Sequence, residues 1–202
     1  ALADPRWEGC KAQPGKLRYY GGPEMDGDIA TAILASQRVQ AAALQAGIEA
    51  CRVRRESARE NRQGRRPKPC GGVAFWQFNE PWPAVTWSVV DHARRPKLAY
   101  NMLLKSNQPV LIAARFARRK PGESNPGDAF TAEVWLVNDG PQAYGHCVAE
   151  VRLDGATVWR GENLALAAGA SSCAGRFHMA LARPPTELTL TLHTGEITLA
   201  TN

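Results

Sequence analysis

Long apolar runs are missing from this sequence: no hydrophobic stretch exceeds a few residues, far short of the ~18–20 needed to cross a bilayer as a helix. No transmembrane helix, and no membrane partner, is therefore expected. A Cys-x-x-Cys pair is missing too, and none of the four histidines (His92, His146, His178, His193) stands at zinc spacing from another ligand. The five cysteines, Cys10, Cys51, Cys70, Cys147 and Cys173, are odd in number and widely scattered. That argues against a disulfide framework and for buried free thiols. No metal and no cofactor is expected. Collagenous and fibrous chains are excluded as well. The sequence opens on Ala1-Leu2-Ala3-Asp4-Pro5-Arg6-Trp7 rather than on Met, without the basic stretch and apolar stretch of a secretion signal. It reads as an excised piece or a processed chain.

What is there suffices for a core. The 202 residues are 44% hydrophobic, and 25 basic against 19 acidic side chains leave a net charge of +6. This length accommodates one domain or two small ones.

Residues 1–26 are rich in turn signals, Pro14-Gly15 and Gly21-Gly22-Pro23, and carry Tyr19 and Tyr20. They read as a surface loop without regular period. After the candidate N-caps Asp26 and Asp28, apolar residues recur at Ile29, Ile33, Ala41, Leu44, Ile48 and Cys51. The spacing predicts a helix from about Asp28 to about Arg59, stopped by Gly64 and Pro67. Val73-Ala74-Phe75-Trp76-Gln77-Phe78 is a continuous apolar and aromatic run, as in a strand buried on both faces. It ends at Asn79-Glu80-Pro81-Trp82-Pro83, where two prolines forbid further pairing. A second strand-like piece, Val85–Val90, precedes a helix expected over Pro96–Lys105. Helix, buried strand, long loop and helix make part of a βα-repeat architecture.

Beyond Gln108-Pro109 the texture changes to all-β. Val110–Phe116, Phe130–Val137, Cys147–Leu153, Thr157–Arg160, Asn163–Ala167, Cys173–His178, Glu187–His193 and Glu196–Ala200 are short runs between Gly, Pro, Asn and Asp. Asp154-Gly155 is a strong hairpin signal. Glu187–Leu192 alternates strictly and should bury one face. Seven or so short strands in about 95 residues fit a β-sandwich of immunoglobulin-like size.

Trp76, Trp82 and Trp87 crowd into twelve residues. A tryptophan at the end of a buried parallel strand, followed by Asn, Glu and a rigid Pro-Trp-Pro loop, would stand at the mouth of an α/β barrel, where active sites of such barrels lie. Aromatic faces stack on the C–H faces of sugars, and amides and carboxylates take sugar hydroxyls, so carbohydrate is the ligand class that fits. Trp76, Asn79, Glu80 and Trp82 are the candidate substrate-binding residues. The competing reading makes the tryptophans core and loop packing.

The stretch Gly71–Asp91, with Trp76-Gln77-Phe78-Asn79-Glu80-Pro81-Trp82-Pro83 and Trp87-Ser88-Val89-Val90-Asp91, then Arg95-Pro96-Lys97-Leu98-Ala99-Tyr100, resembles the end of the catalytic barrel in family 2 glycoside hydrolases. The β-mannosidase branch is nearest. Gln37-Arg38-Val39-Gln40-Ala41 and Glu49-Ala50-Cys51-Arg52 resemble elements of the helix before that strand, and Phe130–Asp139 the first strands of the sandwich that follows the barrel. The resemblance implies a retaining exo-glycosidase. Residues 1–106 would be the terminal part of its (β/α)8 TIM barrel, and residues 107–202 an immunoglobulin-like β-sandwich. It also implies that Trp76 lines the pocket for the terminal sugar and that the Asn79 region completes the rim, with the missing N-terminal part of the enzyme as partner. Glu80 stands where the family has Asp, one methylene longer and followed by Pro81. In the family the two carboxylate motifs, an Asn-Glu pair and a Ser-Glu-Phe-Gly-like stretch, sit on earlier barrel strands; the Asn-Glu pair here, Asn79-Glu80, belongs to the last-strand motif instead, and no Ser-Glu-Phe-Gly-like stretch occurs in residues 1–202. Glu24 and Glu80 are the carboxylates near site loops, and neither sits in such a motif, so no catalytic residue is assigned.

Two other readings compete. Eight basic residues between Arg52 and Lys68, against Glu56 and Glu60, would suit phosphate contacts. No aromatics are interleaved, and basic groups suit a helix C-terminus, so no nucleic-acid partner is expected. Alternatively the sandwich is itself a carbohydrate-binding module with Trp135 and Trp159 as platform. Their alternating strand context favours core packing.

Overall fold

The computed structural model describes residues 13–54, 70–116, 127–181 and 187–202. The chain forms two compact units, Ala1–Ile48 with Ala74–Leu104, and Glu49–Val73 with Lys105–Asn202.

The first unit is built on helices. α1 spans Pro14–Gly21 and runs into a 3-10 turn, Gly22–Asp26. This corrects the loop expected there. Pro14 opens the helix at a position where its fixed φ is favourable, and Leu17 packs on Met25, Ala32 and Ala35. Tertiary packing thus supplies what the sequence period lacks. Gly21 permits that contact, because a Cβ there would collide with the Met25 side chain. α2 spans Ile29–Val53 and starts on Asp28, whose Oδ1 accepts the Thr31 N–H at 2.8 Å. Those Thr31 hydrogen bonds hold the Asp28 carboxyl below its ordinary value. The part of the expected helix beyond residue 54 lies outside the described residues. On the first turns the buried side is Ala32 and Ala35, while Ile29 and Ile33 are exposed, against the expected face. Met25 and Leu17 cover the small residues, so the stripe is rotated there. Farther on, Ala41 and Ile48 join Val89 and, from α3 (Leu98–Ser106), Ala99 and Leu103 in one cluster.

Neither expected strand of this unit forms. Val73–Phe78 and Val85–Val90 are irregular, with Val73 and Phe78 exposed. Pairing is confined to isolated bridges, Asn79 with Val90 and Val90 with Pro96. A parallel strand needs a neighbour's backbone along its length, and among the described residues of this unit no strand stands beside either segment.

The second unit is a two-sheet antiparallel sandwich. β1 (Val110–Phe116), β2 (Ala129–Asn138) and β5 (Ser171–Ala180) form one sheet in the order β1-β2-β5. β3 (Tyr144–Leu153), β4 (Ala156–Leu166), β6 (Leu188–Thr194) and β7 (Ile197–Thr201) form the other, in the order β4-β3-β6-β7. Between them lie Ile112, Val134, Leu136, Ala149, Val151, Leu190 and Leu192. Alternate residues of β1 and β2, Leu111, Ala113, Trp135 and Val137, face the other way and bury Val53 from the end of α2. With both faces covered, the runs at 110–113 and 134–137 are continuously apolar rather than alternating. Asp154 and Gly155, at φ 47° and 82°, make the tight turn expected between β3 and β4. The two runs expected at 157–160 and 163–167 are one strand, β4, whose pairing shifts register with Asn163 at φ 52°. Among the described residues no helix is long and apolar enough to cross a membrane.

Candidate functional site

The residues that carry the family resemblance are tied together by a polar scaffold within the first unit. Gln37 and Gln40, three apart and so on one helical face, both reach the segment at 87–98. Gln37 Oε1 accepts the Leu98 N–H at 3.1 Å, and the Gln40 amide donates to the carbonyls of Trp87 and Ser88 at 2.7 and 3.1 Å. Asp91 closes a turn on Arg95: its carboxylate accepts the Arg95 backbone N–H and Nε at 2.9 and 2.8 Å. The backbone N–H of Arg95, then its guanidinium, hold the Asp91 carboxyl below its ordinary value.

Glu80 lies at the centre of a buried cluster. Its side chain is 3% exposed, Lys97 Nζ stands 3.4 Å from Oε1, and the Thr86 hydroxyl donates to Oε2. Lys97 also donates to Ser88 Oγ at 2.8 Å, and the Thr86 hydroxyl accepts the Ser88 N–H. Ser88 is wholly buried. A charge withdrawn this far from water needs its partner and its hydrogen bonds, so the cluster fixes the loop between residues 80 and 88. Glu80 is thus turned inward, its carboxylate engaged with the protein itself. Nothing in its local sequence signals that; Lys97, 17 positions on, supplies the counter-charge.

The aromatics have the opposite placement. Trp76, Trp82 and Trp87 are 77%, 61% and 64% exposed, and Asn79 is exposed beside them in sequence. The Trp76–Gln77 peptide is cis. The Asn79 backbone bridges Val90, and the Phe78 carbonyl accepts the N–H groups of Val89 and Val90 at 3.0 and 2.9 Å. A rigid, internally bonded loop thus carries three indoles in water, an arrangement suited to stacking on a ring with apolar C–H faces. Glu24 is exposed and pairs with Arg38 at 3.3 Å.

In the second unit, Glu49 Oε1 accepts from the Asn202 amide at 2.8 Å. Arg52 pairs with Asp139 at 2.8 Å and donates to the carbonyls of Ser106 and Pro109 at 2.6 and 3.1 Å. Arg52 is therefore engaged inside the protein rather than offered to phosphates, and positions 55–68 of the basic run lie outside the described residues. Trp135 is buried with its indole N–H on Glu133 at 3.1 Å. Trp159 packs over Gly161 and Gly175, where a Cβ would come within 2.6 Å of the indole. Trp135 is thus a core residue, and Trp159 is half-buried against the core of the sandwich. The Glu133 carboxyl, raised by burial, is brought below its ordinary value by the Arg176 guanidinium and the Trp135 indole.

No protein-family profile matches the chain. It is 30% identical over 113 residues to β-mannosidase B of Aspergillus niger, covering 55% of this chain and 12% of that one. To β-mannosidase B of Neosartorya fischeri it is 32% identical over 117 residues, 57% of this chain and 13% of the relative. The chain thus spans about an eighth of the length of these relatives. In fold it is similar to the β-D-mannosidase from Dictyoglomus thermophilum, with a TM-score of 0.56 and 21% identity, over 87% of this chain and 19% of that structure. An exo-chitosanase from Amycolatopsis orientalis matches all of the chain with 24% of its own, at a TM-score of 0.67 and 17% identity. The resemblance to the C-terminal part of a β-mannosidase-like family 2 glycoside hydrolase, read from the motifs, is borne out.

Proposed function

We propose that this chain is the C-terminal part of a retaining exo-glycosidase acting on terminal β-linked sugars, β-mannosides first among them. In this reading residues 1–106 complete a catalytic (β/α)8 barrel and residues 107–202 form an immunoglobulin-like sandwich. Trp76 and Trp82 offer their faces to the terminal sugar, Asn79 takes a hydroxyl at the rim, and Glu80 stands behind them through its buried cluster. The observation that carries the reading is the exposure of Trp76 and Trp82 on a loop pinned from beneath by Glu80, Lys97 and Ser88. Exposed Val73 and Phe78 add to it, because an uncovered apolar segment calls for a covering partner. The partner here is the rest of the barrel, whose neighbouring strand would pair with Val73–Phe78.

Retaining hydrolysis needs two carboxyl groups about 5–5.5 Å apart across the glycosidic bond. The carboxylates of Glu24 and Glu80 are engaged with Arg38 and Lys97, and neither stands in one of the family's two catalytic-carboxylate motifs, so the reading takes both reactive groups from outside residues 1–202. The test is a panel of aryl β-mannoside, β-galactoside, β-glucoside and β-glucuronide. The 202-residue chain alone is expected to give no turnover, whereas the longer protein that contains it hydrolyses the β-mannoside. In that protein Trp76→Ala lowers kcat/KM by about tenfold or more, since an aromatic face contributes about 1.4 kcal/mol. Turnover by the isolated chain, or a longer protein inert on the whole panel, overturns the reading.

A further inference from the structure

Two thiols meet at the end of α2. Cys51 stands three residues before Arg54, and the Arg54 carbonyl accepts the backbone N–H of Cys70 at 3.4 Å. The chain therefore comes back at Cys70 against the end of the helix whose last turn bears Cys51. Both residues are half-buried walls of one cleft of about 500 Å³, together with Arg52, Gly72 and Asp139. The Cys70 thiol donates to the Gly72 carbonyl at 3.3 Å. Burial, then contact with the Cys70 thiol, pushes the Cys51 thiol above its ordinary value. Gly71, Gly72 and Val73, along the same cleft, are exposed, which leaves a path from solvent. The other described cysteines differ. Cys147 is wholly buried in the sandwich, and Cys173 is exposed on β5.

We propose that Cys51 and Cys70 form a redox-responsive dithiol, oxidised by a low-molecular-weight disulfide to an intrachain disulfide that staples the end of α2 to the segment at Cys70–Val73. One protein thiolate attacks a sulfur of the oxidant and expels one of its halves as a thiolate, leaving a mixed disulfide on the protein. The second protein thiolate attacks the protein sulfur of that mixed disulfide and expels the other half. Two protein S–H bonds are lost, one S–S bond forms, the oxidant's S–S bond is reduced, and the two protons leave with two molecules of small thiol. The inference stands apart from the glycosidase reading, because it uses neither the tryptophans nor a sugar.

The test uses the 202-residue chain in glutathione buffers of graded oxidised-to-reduced ratio, quenched in acid, alkylated with N-ethylmaleimide and digested without reduction for mass spectrometry. Cys51 and Cys70 should leave the alkylated pool in parallel, replaced by one cross-linked species about 2 Da lighter than the two free peptides together. Cys173 should stay alkylated or carry glutathione, uncoupled from the pair. In Cys51→Ser, with an unchanged circular dichroism spectrum, Cys70 should accumulate the glutathione adduct that the native chain resolves. The proposal is overturned by a lasting adduct on either residue of the native chain, by a cross-link of either to a different cysteine, or by full alkylation of both in the most oxidising buffer. It is overturned equally if Cys51→Ser accumulates no adduct at Cys70.

Discussion

Replacing Lys97 with Met strands the Glu80 carboxylate in a site where its side chain is 3% exposed. Removing one partner of a buried pair costs about 3–5 kcal/mol. The expected destabilisation of the loop at 78–97 is therefore about 3–5 kcal/mol. The assay is amide hydrogen exchange at Val89, Val90 and Lys97, whose N–H groups bond the carbonyls of Phe78, Phe78 and Val89. Protection reports local opening free energy, so it should fall by about 150-fold or more. Adding Glu80→Gln to the variant should recover most of the protection. A loss under about threefold, or no recovery in the double variant, would refute the reasoning.

Three further outcomes follow from the same geometry. Asn138 is wholly buried at the end of β2, donating to the carbonyls of Gln142 and Ala167 at 2.7 and 3.1 Å and accepting the Gly140 N–H at 3.0 Å. At about 1 kcal/mol per hydrogen bond, Asn138→Ala should cost roughly 3 kcal/mol, read as a urea midpoint lower by about 1.5 M for an m-value of ~2 kcal/mol/M. Asp28 is held below its ordinary value of 3.8 by the Thr31 N–H. Its support of α2 is thus present above that value and disappears as the pH falls through the lower folded value, a step visible at the Thr31 amide by NMR and absent in Asp28→Asn. Gly175→Ala would bring a methyl to 2.6 Å from the Trp159 ring and should destabilise the sandwich by about 1–3 kcal/mol, again measured in urea.

The sandwich was legible because its signals are local. β1 has the bounds that its apolar run predicts, Asp154-Gly155 makes its turn, and Leu190 and Leu192 occupy the buried side of an alternating strand. Asn163 opens the second of two runs expected to be separate, yet a single strand passes through residues 161 and 162 and through Asn163 at positive φ, as Asn tolerates. The helical unit was less legible, since its burial depends on partners distant in sequence. Ile33 resembles a core residue and is exposed, because Met25 and Leu17 select Ala32 and Ala35 instead. Val73–Phe78 has the composition of a buried strand, but composition cannot provide the neighbouring backbone that makes one. At the candidate site the exposure of Trp82 follows from its Pro-Trp-Pro context, that of Trp76 and Trp87 from the absence of the strands expected around them, and the inward turn of Glu80 required Lys97 to be brought close.

The contacts around the end of α2 also set a timetable for the chain as it is made. Ser171 Oγ donates to the Val53 carbonyl across 118 residues of sequence, and the Asn202 amide reaches Glu49 across 153. At a synthesis rate of ~5–20 residues per second, Glu49 emerges about 8–30 s before the side chain that will bond it. Over that interval Val53, which ends in the core beside Leu111 and Trp135, has no sandwich to enter. Nascent chains should therefore present this helix end to chaperones until β7 is complete, and a ribosome stalled before residue 202 should hold the sandwich open at its seam with the helix.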